Sequence, residues 1–132
     1  MCLNTFQFNS IKRDVEDGLE LYKRILSLSF DLDTCAEPEK SLFKLAYASL
    51  NMKKFELSGN SDGIISVRAL FALRNLEELY LTGFGARVND LVMLFRGREN
   101  LRSLEIENVP QFFDHKVLTV LPHSIKRLRL EG

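Results

Sequence analysis

The chain has 132 residues, of which 45% are hydrophobic and 27% are charged, and 18 basic side chains balance 18 acidic ones. This composition is typical of one globular domain. The zero net charge excludes an overall attraction to nucleic acid or to an anionic membrane, because both favour basic proteins. No stretch reaches the roughly 18 apolar residues of a transmembrane helix, and the first ten residues lack a secretory signal pattern. We therefore predict a cytoplasmic chain, with the nucleus as the alternative, that binds neither nucleic acid nor membrane.

One six-residue pattern, apolar-x-x-apolar-x-apolar, occurs six times along the chain. Its apolar positions are Leu3/Phe6/Phe8, Ile25/Leu28/Phe30, Met52/Phe55/Leu57, Leu76/Leu79/Leu81, Leu101/Leu104/Ile106 and Ile125/Leu128/Leu130. Successive first positions, 3, 25, 52, 76, 101 and 125, lie 22 to 27 residues apart. The alternation within each pattern predicts a strand, and this period is the signature of leucine-rich repeats. The predicted fold class is α/β: a leucine-rich repeat solenoid of about six repeats, with parallel strands on the concave face and helices on the convex face.

Apolar residues at helical spacing predict a helix between each pair of successive strands. The stripes are, in chain order, Val15/Leu19/Tyr22, Leu42/Leu45/Ala46, Ile65/Ala69/Leu70/Leu73, Val88/Leu91/Val92/Phe95 and Val117/Leu118/Leu121. Gly18 weakens the first stripe, because glycine is a poor helix former. Pro38 suits the first turn of the second helix.

The last two helices also carry boundary signals. Asn89 or Asp90 is expected to cap the fourth helix at its N-terminus, and Gly97 is expected to end it. Asp114 is expected to cap the fifth helix, which we predict Pro122 terminates. The last pattern has no helix after it. We therefore expect residues 1–132 to form a single leucine-rich repeat domain that is part of a longer array. The alternative is a small domain that covers its two open ends by self-association.

The strand pattern separates a core side from a partner side. Positions one, four and six of each pattern face the core, so positions three, five and seven point to the concave surface. The predicted partner-binding residues lie in these columns: Glu56, Glu78, Tyr80, Glu105, Glu107, Arg127 and Arg129. Tyr80 is the leading candidate, because aromatic residues are enriched among binding hot spots.

A simpler interpretation of the same columns needs no partner. Neighbouring strands lie about 4.8 Å apart, which would pair Glu105 with Arg129 and Lys54 with Glu78. Such exposed pairs contribute only about 0 to 1 kcal/mol each. In this interpretation they do no more than keep the sheet soluble, and the convex helices and loops are the competing binding surface.

Two segments carry a resemblance to a known family. Leu73–Leu81 (LRNLEELYL) and Asn100–Ile106 (NLRSLEI) resemble strand starts in the leucine-rich arrays of F-box proteins, the substrate receptors of cullin–RING ubiquitin ligases. The resemblance implies recognition of a protein substrate and contact with the ligase adaptor through an F-box. The F-box itself is not visible before Leu3, and position nine of the repeat is asparagine only at Asn60. The alternative is a structural or signalling scaffold that binds a partner enzyme or a small GTPase.

No combination of residues predicts catalysis, so we expect a binding protein and not an enzyme. His115 and His123 are the only histidines, and Cys2 and Cys35 are the only cysteines. None of the four falls in a spacing typical of a metal site or an activated nucleophile. We therefore expect no cofactor and no metal site.

Overall fold

The computed structural model of the chain describes residues 2–3, 26–60 and 63–132. It contains six strands: β1 (Cys2–Leu3), β2 (Ser27–Asp31), β3 (Lys54–Ser58), β4 (Glu78–Thr82), β5 (Ser103–Glu107) and β6 (Arg127–Glu131). In the described residues three α-helices lie between strands: α1 (Pro38–Ala48), α2 (Val88–Phe95) and α3 (His115–Leu118). Short 3-10 helices cover Leu32–Thr34, Arg68–Ala72 and Pro110–Phe113. The rest of the first predicted pattern, its helical stripe and Ile25 lie outside the described residues.

The six strands form one parallel sheet whose spatial order, β1 to β6, is the order of the chain. The register is constant from β2 onward, since Ser27 pairs with Lys54, Lys54 with Glu78, Glu78 with Ser103 and Ser103 with Arg127. From the second pattern to the sixth, position three therefore faces position three of the next. The predicted alignment of the first pattern is wrong at β1, because Leu3, its first position, pairs with Phe30, the sixth position of the second pattern. This arrangement confirms the predicted α/β class and the parallel strands.

The apolar core lies on one side of the sheet. Phe55, Leu57, Leu79, Leu81 and Leu104 alternate with polar residues along their strands and are fully buried. Helix residues cover them from the other side of the core: Leu42, Leu45 and Ala46 of α1, and Leu91, Leu94 and Phe95 of α2. Burial of a side chain of this size contributes about 1.5–3 kcal/mol. The opposite face of the sheet carries no helix among the described residues.

Side chains also tie each interstrand segment to the next. The Glu39 carboxylate accepts from the Ser66 backbone N–H at 2.9 Å. The Gln111 side-chain carbonyl accepts from the Ala86 N–H at 3.3 Å. These bonds span 27 and 25 residues of sequence. They satisfy backbone donors in irregular segments, where no helix or strand partner is present.

Two glycines have the positive φ angles that favour this residue. Gly83 follows β4 with φ +74°, and a Cβ built there would lie 2.1 Å from the Gly59 carbonyl oxygen. Gly97 has φ +73° two residues after α2. The prediction that Gly97 ends the fourth helix is confirmed.

The predicted third helix is wrong. A five-residue 3-10 helix, Arg68–Ala72, replaces the α-helix. The preceding chain is held extended, because Ile64 forms a parallel bridge to Gly85 and the Ile65 N–H bonds to the Gly85 carbonyl. Few residues then remain to reach the buried Leu73. A 3-10 helix can span this distance because it rises further per residue than an α-helix.

Two other helix boundaries also differ from prediction. Arg87 is the N-cap of α2 and makes no side-chain cap, so neither Asn89 nor Asp90 caps that helix. Asp90 lies in the first turn instead, where it is buried and contacts Arg68 at 3.3 Å. Helix α3 ends at Leu118, before Pro122 is reached. The predicted cap by Asp114 is confirmed, because its carboxylate accepts from the Lys116 N–H at 2.9 Å.

Within the described part of the chain, every helix is too short or too polar to span a bilayer.

Candidate functional site

The sheet side without helices, termed here the uncovered face, is formed by positions three, five and seven of β2 to β6. Its side chains are Ser27, Ser29, Asp31, Lys54, Glu56, Ser58, Glu78, Tyr80, Thr82, Ser103, Glu105, Glu107, Arg127, Arg129 and Glu131. All seven predicted partner-binding residues belong to this set. Four of them, Glu56, Tyr80, Glu105 and Arg129, form one row across β3 to β6 as successive register partners.

Tyr80 lies near the middle of the uncovered face and is half-buried there. The ammonium of Lys54, on the neighbouring strand, lies 5.3 Å from the centre of its ring. This distance is typical of a cation–π contact. The contact holds the ring against β3, so that a partner would meet a preorganised aromatic surface.

Lys54 and Glu78 are register partners, as predicted. The Lys54 ammonium nevertheless lies over Tyr80, and no ion pair to Glu78 forms among the described residues. Glu56 is the member on β3 of the row that continues with Tyr80, Glu105 and Arg129. Its carboxylate accepts a hydrogen bond from the Ser29 hydroxyl at 2.8 Å.

Arg129 is the centre of an ion-pair network at the sheet edge. Its guanidinium lies 3.1 Å from the Glu105 carboxylate and 2.8 Å from that of Glu131. The hydrogen bonds that Arg129 donates to Glu131, and the negative charges of Glu131 and Glu105, raise the pKa of Arg129 above its usual value. The predicted pairing of Glu105 with Arg129 is confirmed. Because solvent screens this exposed network, it neutralises the sheet edge more than it stabilises the fold.

A depression of about 320 Å³ lies where β4, β5 and β6 begin. We term it the Ser103 depression, and its lining residues are Glu77, Glu78, Arg102, Ser103, Lys126 and Arg127. Ser103 forms its floor, because this small side chain is only 6% exposed between its longer neighbours. Sequence analysis identified Glu78 and Arg127 but missed the other four. The available signal was a small residue at position three between two long ones, Glu78 and Arg127, and next to Arg102.

A second depression, of about 380 Å³, lies between the end of α2 and the loop before β6. His123 lines it together with Thr119–Pro122. The Ser124 hydroxyl donates to the Leu101 carbonyl at 2.6 Å, so it is held by the backbone and is not paired with His123. His115 is exposed at the start of α3. Across the described ranges, no group of three His, Cys, Asp or Glu side chains is placed to hold a metal ion.

Arg98 is a buried residue that sequence analysis missed, because arginine is seldom fully buried. Its guanidinium donates to the carbonyls of Leu94 at 2.6 Å, Leu70 at 2.7 Å and Leu73. Burial, with a smaller contribution from the charge of Arg74, lowers the pKa of Arg98 to about 10. Arg98 therefore keeps its charge at neutral pH and joins the end of α2 to the preceding 3-10 segment.

Comparison with known proteins adds no family. No protein-family model matches the chain, and no curated protein or solved structure gives a significant match.

Proposed function

We propose that the chain is a protein-binding module that recognises its partner with the uncovered face. In this proposal the chain is a right-handed solenoid of about six leucine-rich repeats, and the uncovered face is its concave surface. The period of 22 to 27 residues supports the proposal, as do the sequential parallel strands and the helices on one side only. Stacked repeats of this kind present extended binding surfaces.

The alignment of side chains on the uncovered face is the main support for a binding function. The constant register lines up five strands, so that polar and charged side chains, with Tyr80 near the centre, form continuous rows on a face that no helix of the described chain covers. With about 4.8 Å between strands, these rows extend about 19 Å across β2 to β6. A preformed polar face of this width suits a protein segment better than a small molecule, which prefers a deep apolar pocket.

The resemblance to F-box arrays makes the substrate receptor of a ubiquitin ligase the favoured role. In that role the uncovered face binds the substrate, and an F-box elsewhere in the protein contacts the adaptor. The segments Leu73–Leu81 and Asn100–Ile106 support this role, since they supply β4, β5 and the residues leading into them. A scaffold that binds an enzyme or a small GTPase would use the same face, so the captured partner distinguishes the two roles.

The test is an affinity capture from cell lysate followed by quantitative mass spectrometry. Three proteins are compared: the wild type, a Tyr80→Ala/Glu105→Ala variant of the uncovered face, and a Met93→Ala/Arg96→Ala control. Met93 and Arg96 are exposed on the helix side of the molecule. We expect the first variant to lose at least one partner about tenfold and the control to retain it. Equal recovery of every partner by all three proteins would contradict the proposal.

A further inference from the structure

Charge is unevenly distributed along the strands of the uncovered face. At the strand ends, position seven carries three acids and no base across β2 to β6: Asp31, Glu107 and Glu131. At the strand starts, positions two and three of β3 to β6 carry five bases and two acids. These are Lys53, Lys54, Glu77, Glu78, Arg102, Lys126 and Arg127. A chain with no net charge therefore has a basic side, where β3 to β6 begin, and an acidic side, where the strands end.

Contacts within the chain neutralise only part of the basic side. Lys53 lies 3.8 Å from the Glu77 carboxylate, and Lys54 lies over the Tyr80 ring. Across residues 26–60 and 63–132, no carboxylate lies within ion-pair distance of Arg102, Lys126 or Arg127. These three exposed bases all line the Ser103 depression. Of the two acids there, only Glu78 has no basic partner in the described chain.

The backbone holds these bases in fixed positions around the depression. The N–H groups of Arg102 and Ser103 both donate to the Glu77 carbonyl, at 2.8 and 3.0 Å. Those of Lys126 and Arg127 both donate to the Arg102 carbonyl, again at 2.8 and 3.0 Å. The starting points of the three long side chains are therefore rigid, which lowers the entropy cost of binding.

We propose that the Ser103 depression receives an acidic segment of the partner protein; this assignment rests on the proposed function of the uncovered face. Arg102 and Arg127 can each bind a carboxylate with two parallel N–H donors, and the Ser103 hydroxyl supplies another donor at the floor. The volume of the depression, about 320 Å³, is close to the smallest volume typical of ligand pockets. It therefore suits an acidic side chain of the segment more than a large ligand.

Charge complementarity also fixes the orientation of the bound segment. Glu78 repels a carboxylate on the β4 side, which directs the acidic group toward β5 and β6. Glu107 and Glu131, at the other end of these strands, favour basic groups on the same partner. The partner surface therefore places acidic residues over the strand starts and basic residues over the strand ends.

The test uses NMR to follow the backbone amides of the whole chain during titration with a capped peptide, acetyl-Gly-Glu-Glu-Glu-Gly-amide. The expected shifts are centred on Arg102, Ser103 and Arg127 and are absent with the glutamine analogue, acetyl-Gly-Gln-Gln-Gln-Gly-amide. An Arg102→Gln/Arg127→Gln variant is expected to bind the acidic peptide about tenfold more weakly. An Arg87→Gln/Arg96→Gln variant loses the same charge at exposed positions of the helix side and is expected to bind normally.

Three results would overturn the assignment: no shifts in the wild type, equal weakening in both variants, or tighter binding of a thymidine decanucleotide to the same amides. The last result would indicate a nucleic-acid site. Failure here is distinguishable from failure of the proposed function. If the peptide does not bind but the Tyr80/Glu105 variant still loses its partner, only the acidic subsite is wrong. If the peptide binds but no partner is lost, the subsite stands without the proposed function.

Discussion

At the residue scale, the two glycines with positive φ have different environments. A Cβ at Gly83 meets the Gly59 backbone at 2.1 Å, whereas a Cβ at Gly97 has no atom within 4 Å. Both positions carry the conformational cost of a left-handed residue, which is about 1–2 kcal/mol. Only Gly83 adds a steric clash between adjacent segments of the chain.

These environments predict different stabilities for two matched variants. Gly83→Ala is expected to lower the free energy of unfolding by about 3 kcal/mol, because strain and clash add. Gly97→Ala is expected to lower it by about 1 kcal/mol, because only strain applies. Urea denaturation followed by circular dichroism measures both. Equal losses would show that Gly59 does not approach Gly83 this closely.

The residues on the uncovered face differ in how far the sequence could predict them. The positions of Tyr80 and Arg129 on the uncovered face could be predicted from the alternation of apolar and polar residues alone. Successive side chains of a strand point to opposite faces of the sheet. The Ser103 depression depends on residues of three strands, and it is defined only once the register sets Glu78, Ser103 and Arg127 side by side. Arg98 could not be predicted, because its burial depends on the carbonyls of Leu70, Leu73 and Leu94, which come together only in the folded chain.

At the element scale, strands were predicted better than helices. Alternation with period two is unambiguous in Phe55–Leu57 and Leu79–Leu81, and both pairs are buried as expected. The stripe of Ile65, Ala69, Leu70 and Leu73 fits an α-helix, but Val67, Leu70 and Leu73 also fit the three-residue period of a 3-10 helix. All three of these residues are fully buried. Tertiary contacts of the preceding chain with Gly85 decided between the two.

Arg98 connects two of these elements and gives a second stability prediction. Its replacement by methionine removes the guanidinium donors to the carbonyls of Leu70, Leu73 and Leu94. We expect Arg98→Met to lower the free energy of unfolding by about 2–4 kcal/mol, since the buried hydrogen bonds of a charged group are lost. Arg96→Met, at an exposed position two residues earlier, is expected to change it by less than about 0.5 kcal/mol. Urea denaturation that gives the same value for both variants would contradict the structural role of Arg98.

At the scale of the whole molecule, one-sided burial connects the fold to the proposed function. Every helix residue in the core packs on one side of the sheet, so the other side presents its side chains in fixed rows. From β2 to β6, the parallel connections place the interstrand segments over the same face, which leaves the uncovered face continuous across these strands. In the proposed function, the specificity of this surface depends on its charge pattern, because single exposed contacts on it are weak.

The most direct test of this account is site-specific photo-cross-linking in cell lysate. A photoreactive phenylalanine analogue replaces Tyr80 on the uncovered face in one protein and Met93 on the helix side in another. We expect a discrete cross-linked partner from position 80 and none from position 93. Adding Glu105→Ala to the protein labelled at position 80 is expected to abolish this cross-link. A partner cross-linked from position 93 and not from position 80 would show that the helix side is the binding surface and would contradict the proposed function.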